Sequence, residues 1–431
     1  MVREEIVTKP HELKVVCRQL LQTKIFGFDT EFVGETTYHP ILCLIQVSTP
    51  EALYLIDPQS VGPLSEFWEL VNHPDTCVVV HAGREEVRLC KVASGKPPGQ
   101  CFDVQLAAGL VGLNYPMSHA NLVSELMGVQ LQKSETLTDW RRRPLTDAQI
   151  RYAFDDVRYL LPLREQLASK LVQLQRLPWA NEEFARLIHL VMDDQRVLER
   201  WRKLPGLGKL NGRQLAIARD LFAWREARAE ELQKPIRVIC RDEILVEIAR
   251  REPHQLQELA SYRGLAKRDW SEILEVIRKT RQSPTSSWPS RTIKEPEPPQ
   301  LNMLVPLLQA ILTQLGQVLS ITPNMIANVS DLRMLAHHFL KNRPLPDEQP
   351  LARGWRAQHI RPILENVLRG KLAMRLKQPV SELTIEFLAH VNEVSPFHSA
   401  PKQADTVESK PPCYTEEDTQ TNSSEQTTCD S

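Results

Sequence analysis

Four short runs within the first 81 residues constrain this 431-residue chain more than any other feature. Lys24–Phe32 (KIFGFDTEF), Ile41–Ser48, Leu53–Asp57 and Cys77–His81 are rich in β-branched or aromatic residues and bounded by Gly, Pro, His and Asp, the pattern of strands. The first three follow one another over short gaps, as an antiparallel meander does. The fourth comes after a predicted helix at Pro63–Val71, so a crossover brings it back to the same sheet and makes that sheet mixed. From Gln105 onward the apolar spacing becomes helical. Residues 1–175 therefore read as one α/β unit, followed by helical segments.

Thr146 and Gln149 form a T-x-x-Q capping box opening a long helix, whose apolar stripe is Ile150, Ala153, Val157, Leu160, Leu161 and Leu167. A second helix follows Pro178, and LPGLGKLNG (204–212) then interrupts the helical pattern. Residues 176–210 read as a helical connector. Residues 211–283 read as a helical unit with a break near Gln233–Arg237, and the Pro- and Ser-rich stretch 284–300 as a linker. A third helical unit is expected over 301–395. The segment 396–431 is polar and poor in large apolar residues, the composition of a disordered tail.

The composition, 42% apolar and 25% charged, suits a globular protein with real cores. Lys and Arg number 53 against 54 Asp and Glu, which excludes a protein held to nucleic acid by bulk charge. The total hides an uneven distribution. Residues 396–431 carry two Lys and seven Asp or Glu, a net of −5, which leaves +4 for residues 1–395. Residues 204–282 hold sixteen Lys or Arg against twelve Asp or Glu, a mildly basic helical module. The eight cysteines are scattered with no C-x-x-C pair, which suits neither a zinc site nor a disulfide framework. Reduced thiols, a cytoplasmic location and no disulfide-linked partner are the expectation. No apolar run approaches the roughly 18–20 residues of a membrane span, and the N-terminus MVREEIVTKP does not resemble a secretory signal, so no membrane association is expected.

Three local features could carry chemistry. In Phe28-Asp29-Thr30-Glu31-Phe32, the carboxylates at i and i+2 share one face of a strand. Placed together they repel and resist desolvation unless a cation lies between them, and a hard divalent metal is one such cation. A solvent-facing pair on a half-exposed strand is the other reading. Tyr152 and Asp156, at i and i+4, lie one turn apart on the same side of the long helix. A half-buried tyrosine beside a solvated aspartate would show the same spacing. In His81-Ala-Gly-Arg-Glu-Glu-Val-Arg-Leu-Cys90 a strand end runs into a helix. There Glu86 has Leu89 and Cys90 at i+3 and i+4 and is the more inward-facing glutamate, whereas an acidic first turn also simply favours the helix dipole. Arg141, Arg142 and Arg143 beside Trp140 could hold phosphates or lie solvated around a core indole. His81 reads as a strand-end histidine, and Asp103 as the N-cap of the helix that follows it.

In order and spacing, FDTEF, HAGREEVRLC and YAFDDVRYLLPL resemble the three motifs of the ribonuclease D family, within the DEDD superfamily of 3′–5′ exonucleases. FDVQLAAGLVG (102–112) and residues 131–157 match as well. The Y-x-x-x-D form of Tyr152 and Asp156 marks the tyrosine subgroup. One position departs from the pattern, since Glu86 stands where the family usually has Asp.

The resemblance implies a ribonuclease H-like fold and a two-metal phosphodiester hydrolysis with Mg²⁺ or Mn²⁺. In it Asp29 would bridge both ions, Glu31 and Asp156 would hold the ion that activates water, Tyr152 would orient that water, and Glu86 would help hold the second ion. Residues 221–280 resemble the HRDC module, with its Pro-containing loop near 235 and Arg263-Gly264-Leu265 before the last helix. Residues 301–395 more faintly resemble a second such module. The implied protein is a monomeric 3′–5′ exoribonuclease that releases nucleoside 5′-monophosphates from RNA 3′ ends, with tRNA precursors or other structured RNA as substrate. A DNA exonuclease of the same fold, or a catalytically weak RNA-binding scaffold, are the alternatives. No particular residue is assigned to nucleic-acid binding.

Overall fold

The computed structural model describes residues 2–132, 138–193, 199–290, 296–377 and 384–389. Strands β1 (Arg3–Val7), β2 (Ile25–Val33), β3 (Ile41–Ser48), β4 (Ala52–Ile56), β5 (Cys77–Val80) and β6 (Gln100–Asp103) form one sheet in the order β1-β4-β3-β2-β5-β6. The meander is present, with β2–β3 and β3–β4 antiparallel, and β5 returns parallel to β2. Two further strands complete the sheet beyond the four expected. β1 pairs parallel with β4, and β6 parallel with β5. The first is an edge strand whose charged, exposed residues hide its period, and the second is four residues long.

Around the sheet lie α1 (Pro10–Thr23), α2 (Pro58–Val61), α3 (Ser65–Val71), α4 (Arg84–Ser94), α5 (Val104–Leu110), α6 (His119–Met127), α7 (Asp147–Arg158), α8 (Leu160–Gln173) and α9 (Leu177–Met192). Alternation along the strands divides the core in two. Phe26, Phe28, Ile45, Val47, Tyr54 and Val78 pack toward α1 and α3, while Leu44, Leu53, Leu55 and Val79 pack toward α7 and α8. The expected long helix after Thr146 is two helices, broken at Tyr159. Pro162 is the cause. Its ring would collide with the carbonyl of Arg158, and within the first turn of α8 its missing N–H leaves nothing unpaired.

The second unit has its own core. α10 (Gly212–Glu231), opened by an Asn211/Gln214 capping box, packs with α11 (Ile236–Ile239), α12 (Asp242–Arg251), α13 (Leu256–Leu259) and α14 (Trp270–Gln282) around Leu221, Ile248, Leu259, Ile273 and Ile277. Gly264 turns the chain before α14 at φ +90°, a conformation that other residues rarely adopt. The first part of the expected linker lies along this bundle, where Arg219 donates to the Ser287 carbonyl and the Trp288 indole to Ser283 Oγ.

The third unit comprises α15 (Leu301–Leu319), α16 (Pro323–Ile326), α17 (Val329–Leu340) and α18 (Arg361–Leu368). It ends differently from the helical expectation. Leu372–Lys377 (β7) and Thr384–Ala389 (β8) form an antiparallel pair, following the period-two alternation of LAMRLK. One premise of the membrane reading needs correction, that no apolar run approaches the length of a span, because α15 is a 19-residue helix long and apolar enough to cross a bilayer by length and composition. Its apolar residues Val305, Leu308, Ile311, Leu312 and Leu315 are instead buried in the core. The expected disordered tail at 396–431 falls outside the described residues.

This unit shares one hydrophobic core with α5, α8 and α9 of the α/β unit. At the seam, Arg356 is buried against Glu183 and donates to the Met325 carbonyl at 2.7 Å, while the Trp355 indole donates to Glu183 Oε1 at 3.0 Å. Trp179 stacks on Trp355 at 4.8 Å, and Arg176 ties the carbonyls of Leu110 and Leu319. Gly112, at φ +101°, lies so close to the Ser320 carbonyl that a Cβ would stand 2.7 Å from its oxygen. Removing one partner of a buried ion pair leaves the other charge uncompensated. Glu183→Ala should therefore lower unfolding stability by about 3–5 kcal/mol in urea titrations. The double variant Glu183→Ala/Arg356→Met should recover part of that loss.

Candidate active site

β2 carries the first two site residues. Asp29 and Glu31 point to the face covered by α7, on the opposite side of the strand from Phe26 and Phe28. The strand pairing shifts register between Glu31 and Phe32, leaving Cys43 of β3 as the extra residue, a bulge directly beside the carboxylates. α7 begins at the predicted capping box. Thr146 Oγ1 accepts from Gln149 N at 3.2 Å and Gln149 Oε1 from Thr146 N at 2.9 Å. Ala153, Phe154 and Val157 anchor the helix on the sheet, and this holds Tyr152 and Asp156 over β2.

Glu86 reaches the site from the other side. It lies in the first turn of α4, is 7% exposed, and accepts a hydrogen bond from Thr30 Oγ1 at 2.8 Å. Glu85 turns outward to pair with Arg88. Thr30, between the two carboxylates of β2, therefore fixes a third.

The electrostatics bind these residues into one site. Asp29 is held well above the usual carboxylate range, by burial first and then by the charges of Asp156, Glu86 and Glu31. Burial, Asp156 and Glu86 raise Glu31 to about 8. Burial raises Glu86 to about 7 against the hydrogen bond from Thr30, and Asp156 to about 7 against a hydrogen bond from Tyr152. The Tyr152 phenol is itself pushed up by burial and by Asp156, Glu31 and Asp29, so it stays protonated and acts as a donor. Asp29, Glu31, Tyr152 and Asp156 are each half-buried rather than fully solvated.

Three residues support the site without having been assigned to it. Asp103 caps α5 by accepting from Gln105 N and Leu106 N, as expected, and also accepts from Ala82 N and Gly83 N at 3.2 and 3.0 Å. It thus fixes the turn that launches α4 and Glu86. At Gly83 a Cβ would stand 2.2 Å from Val80 Cγ2, so the turn needs glycine. Gln46 pairs across the sheet with Asp29 and is fully buried, yet neither of its amide atoms has a hydrogen-bond partner. A lone polar residue in the apolar run ILCLIQVS was the signal for it. Thr30 offered no sequence signal, because its partner lies 56 residues away.

The flanking candidates are structural. Arg143 clamps Asp57 with two bonds of 2.8 Å and donates to the Cys43 carbonyl, while Arg141 pairs with Asp139. Trp140 is buried with its ring 6.0 Å from that of Tyr152. His81 bonds the Met117 carbonyl at 2.9 Å and packs against His119.

Comparison with known proteins agrees with this geometry. A family model described as 3′–5′ exonuclease matches residues 4–172, and one described as HRDC domain matches residues 214–277. Ribonuclease D of Desulfotalea psychrophila is 31% identical over 370 residues, covering 84% of this chain and 97% of the relative. The Pseudomonas paraeruginosa ribonuclease D is 32% identical, covering 82% and 94%. The chain belongs to the ribonuclease D family. It is a 3′–5′ exoribonuclease. The crystal structure of Escherichia coli RNase D, described as an exoribonuclease involved in structured RNA processing, superposes with a TM-score of 0.76 at 28% identity, over 86% of this chain and 99% of that one.

The raised carboxylates couple stability to pH. An acid whose folded value lies above its unfolded one stabilises the fold at low pH, and that stability is lost as pH rises through the folded value. For Glu31 the window runs from about 4.3, its unfolded value, to about 8. In EDTA, Glu31→Gln should therefore gain Tm relative to the parent protein as pH rises through this window. Calorimetric scans at stepped pH measure the difference.

Proposed function

We propose that this site hydrolyses phosphodiester bonds at RNA 3′-OH ends in a divalent-metal-dependent reaction that releases nucleoside 5′-monophosphates. Structured RNA, tRNA precursors among them, is the proposed substrate, met in the cytoplasm. The observation that carries the reading is the gathering of four mutually repelling carboxylates, Glu86 buried and Asp29, Glu31 and Asp156 half-buried, with no cationic side chain among the causes that shift them. Asp156 Oδ2 is in addition buried without a hydrogen-bond partner. An all-oxygen donor set of this kind fits hard divalent cations such as Mg²⁺ or Mn²⁺. As they stand, no group of three or more His, Cys, Asp or Glu side chains among the described residues is arranged to hold a metal ion.

Asp29, Glu31, Asp156 and Glu86 would supply the oxygen ligands that hold the ions. When bound, such a pair of ions activates a water molecule and stabilises the departing 3′ oxygen. The protein's own contribution is positional. Tyr152 keeps its proton and donates from α7, so it can orient a water against Asp156 without serving as its base. Thr30 holds Glu86 on its longer side chain, which is a physical reason for glutamate to serve where the family usually has aspartate.

Purified protein incubated with Mn²⁺ and 3′-OH RNA should shorten it stepwise to mononucleotides, with a parallel DNA substrate cut more slowly. EDTA should stop the reaction, and Asp29→Asn should lower the rate by more than ~100-fold. Binding of RNA without any shortening would overturn the enzyme reading in favour of a scaffold. In the same assay Glu86→Asp should stay within about tenfold of the parent rate.

A further inference from the structure

We propose that Gln46 is a positioning residue of the exonuclease site. Its buried carboxamide donates a hydrogen bond to the inner oxygen of Asp156 in the metal-loaded site, and so fixes which oxygen that carboxylate turns to the ions. The inference rests on the metal-dependent reading above and deepens it.

Gln46 lies in the middle of β3 and is not among the proposed ligands. It is fully buried, flanked by Asp29 of β2 on one side and Leu55 of β4 on the other. Directly opposed residues of antiparallel strands share a face, with Cβ atoms about 4.5–5.5 Å apart, so the amide stands beside Asp29 on the side covered by α7. The same face of β3 carries Leu44 and Ser48. Neither Gln46 Oε1 nor Gln46 Nε2 has a hydrogen-bond partner, and Ser48 Oγ has none either. Packing does not account for this. An unpaired amide in an apolar layer is unfavourable, and an apolar side chain of the same shape would serve the fold at least as well.

The missing acceptor is on the helix above. Leu160, the first residue of α8, lies directly over Gly27 and Ser48: a Cβ on Gly27 would stand 3.1 Å from Leu160 Cβ and would overlap Ser48 Oγ. Asp156 precedes Leu160 by one helical turn, about 5.4 Å. Asp29 follows Gly27 by two strand residues, about 6.6 Å. Helix and strand thus bring Asp156 over the Asp29–Gln46 pair, and Asp156 is the charge that acts most strongly on Asp29. Asp156 is half-buried, with Oδ2 turned into the protein and left without a partner. A carboxylate that holds a metal is ionised, and its oxygens only accept. Gln46 Nε2 is a neutral donor. It can satisfy the inner oxygen without competing with the ions for charge, as a lysine or arginine in its place would.

The test replaces Gln46 by Met, which keeps the shape and removes the donor. In EDTA the Tm of Gln46→Met should equal or exceed that of the parent protein, because an unpaired amide is lost. Without RNA, its Kd for Mn²⁺, followed by the electron paramagnetic resonance of free Mn²⁺, should rise about 10- to 100-fold. On 3′-OH RNA at saturating Mn²⁺, kcat should fall at least about tenfold while KM stays within about twofold. The same substitution in an Asp156→Ala background separates positioning from packing, and decides even where Tm falls. There it should change the Mn²⁺ Kd by less than about twofold, since the group it acts through is gone. An unchanged Kd for Gln46→Met alone, or an equal loss in both backgrounds, overturns the proposal. A parent protein that binds no Mn²⁺ overturns the metal-dependent reading and this proposal together.

Discussion

Four like-charged carboxylates brought close together, Glu86 buried and Asp29, Glu31 and Asp156 half-buried, are the constraint on which the rest of this structure depends. Like charges in a low-dielectric setting separate or neutralise unless their frame is stiff. Here the frame is assembled from three directions. β2 offers Asp29 and Glu31 from the stretch paired with β3, α7 is pinned to the sheet by Ala153, Phe154 and Val157, and α4 is launched from a turn that Asp103 holds through two backbone N–H groups. Thr30 then links the first direction to the third by a single hydrogen bond to Glu86. Loss of any of these supports would let the carboxylates move apart, because nothing in their mutual electrostatics favours the assembled arrangement.

The remainder of the chain is built around that frame in two different ways. The segment from Leu301 to Leu364 fuses to it, sharing a continuous apolar core with α5, α8 and α9 and sealing the seam with the buried Arg356–Glu183 pair. The HRDC bundle keeps a core of its own and meets the exonuclease unit through polar contacts such as Tyr38–Glu226 and His39–Glu230. A fused unit stiffens the side of the sheet that supports α7 and α8. A bundle joined by a polar seam leaves two cavities along it, both lined by Arg200, Lys203, Glu226 and Ile236.

Much of the site was legible from local spacing. The i and i+2 carboxylates of β2, the i and i+4 pair of α7 and the T-x-x-Q box that starts α7 each depend on the geometry of one element, which a few consecutive residues specify. Glu86 was legible as inward-facing for the same reason, since Leu89 and Cys90 share its side of α4. Where a second element was needed, local spacing did not suffice. The break at Tyr159 was missed because the apolar stripe runs on across it, although Pro162 carried the signal. α15 shows the opposite failure: it is long and apolar enough to resemble a membrane span, and burial against neighbouring helices places it in the core.

The sequence by itself determined the chemistry available and its local presentation: oxygen ligands on a strand and a helix, a phenol one turn from a carboxylate, and an exonuclease unit followed by an HRDC module. Tertiary structure alone decided how these meet. It placed Gln46 opposite Asp29, set the Thr30 hydroxyl against a carboxylate 56 residues away, and buried Arg356 on Glu183. The physical reason is range. Backbone periodicity and capping act over a few residues and leave a readable pattern, whereas packing and electrostatics act between any surfaces that folding brings into contact.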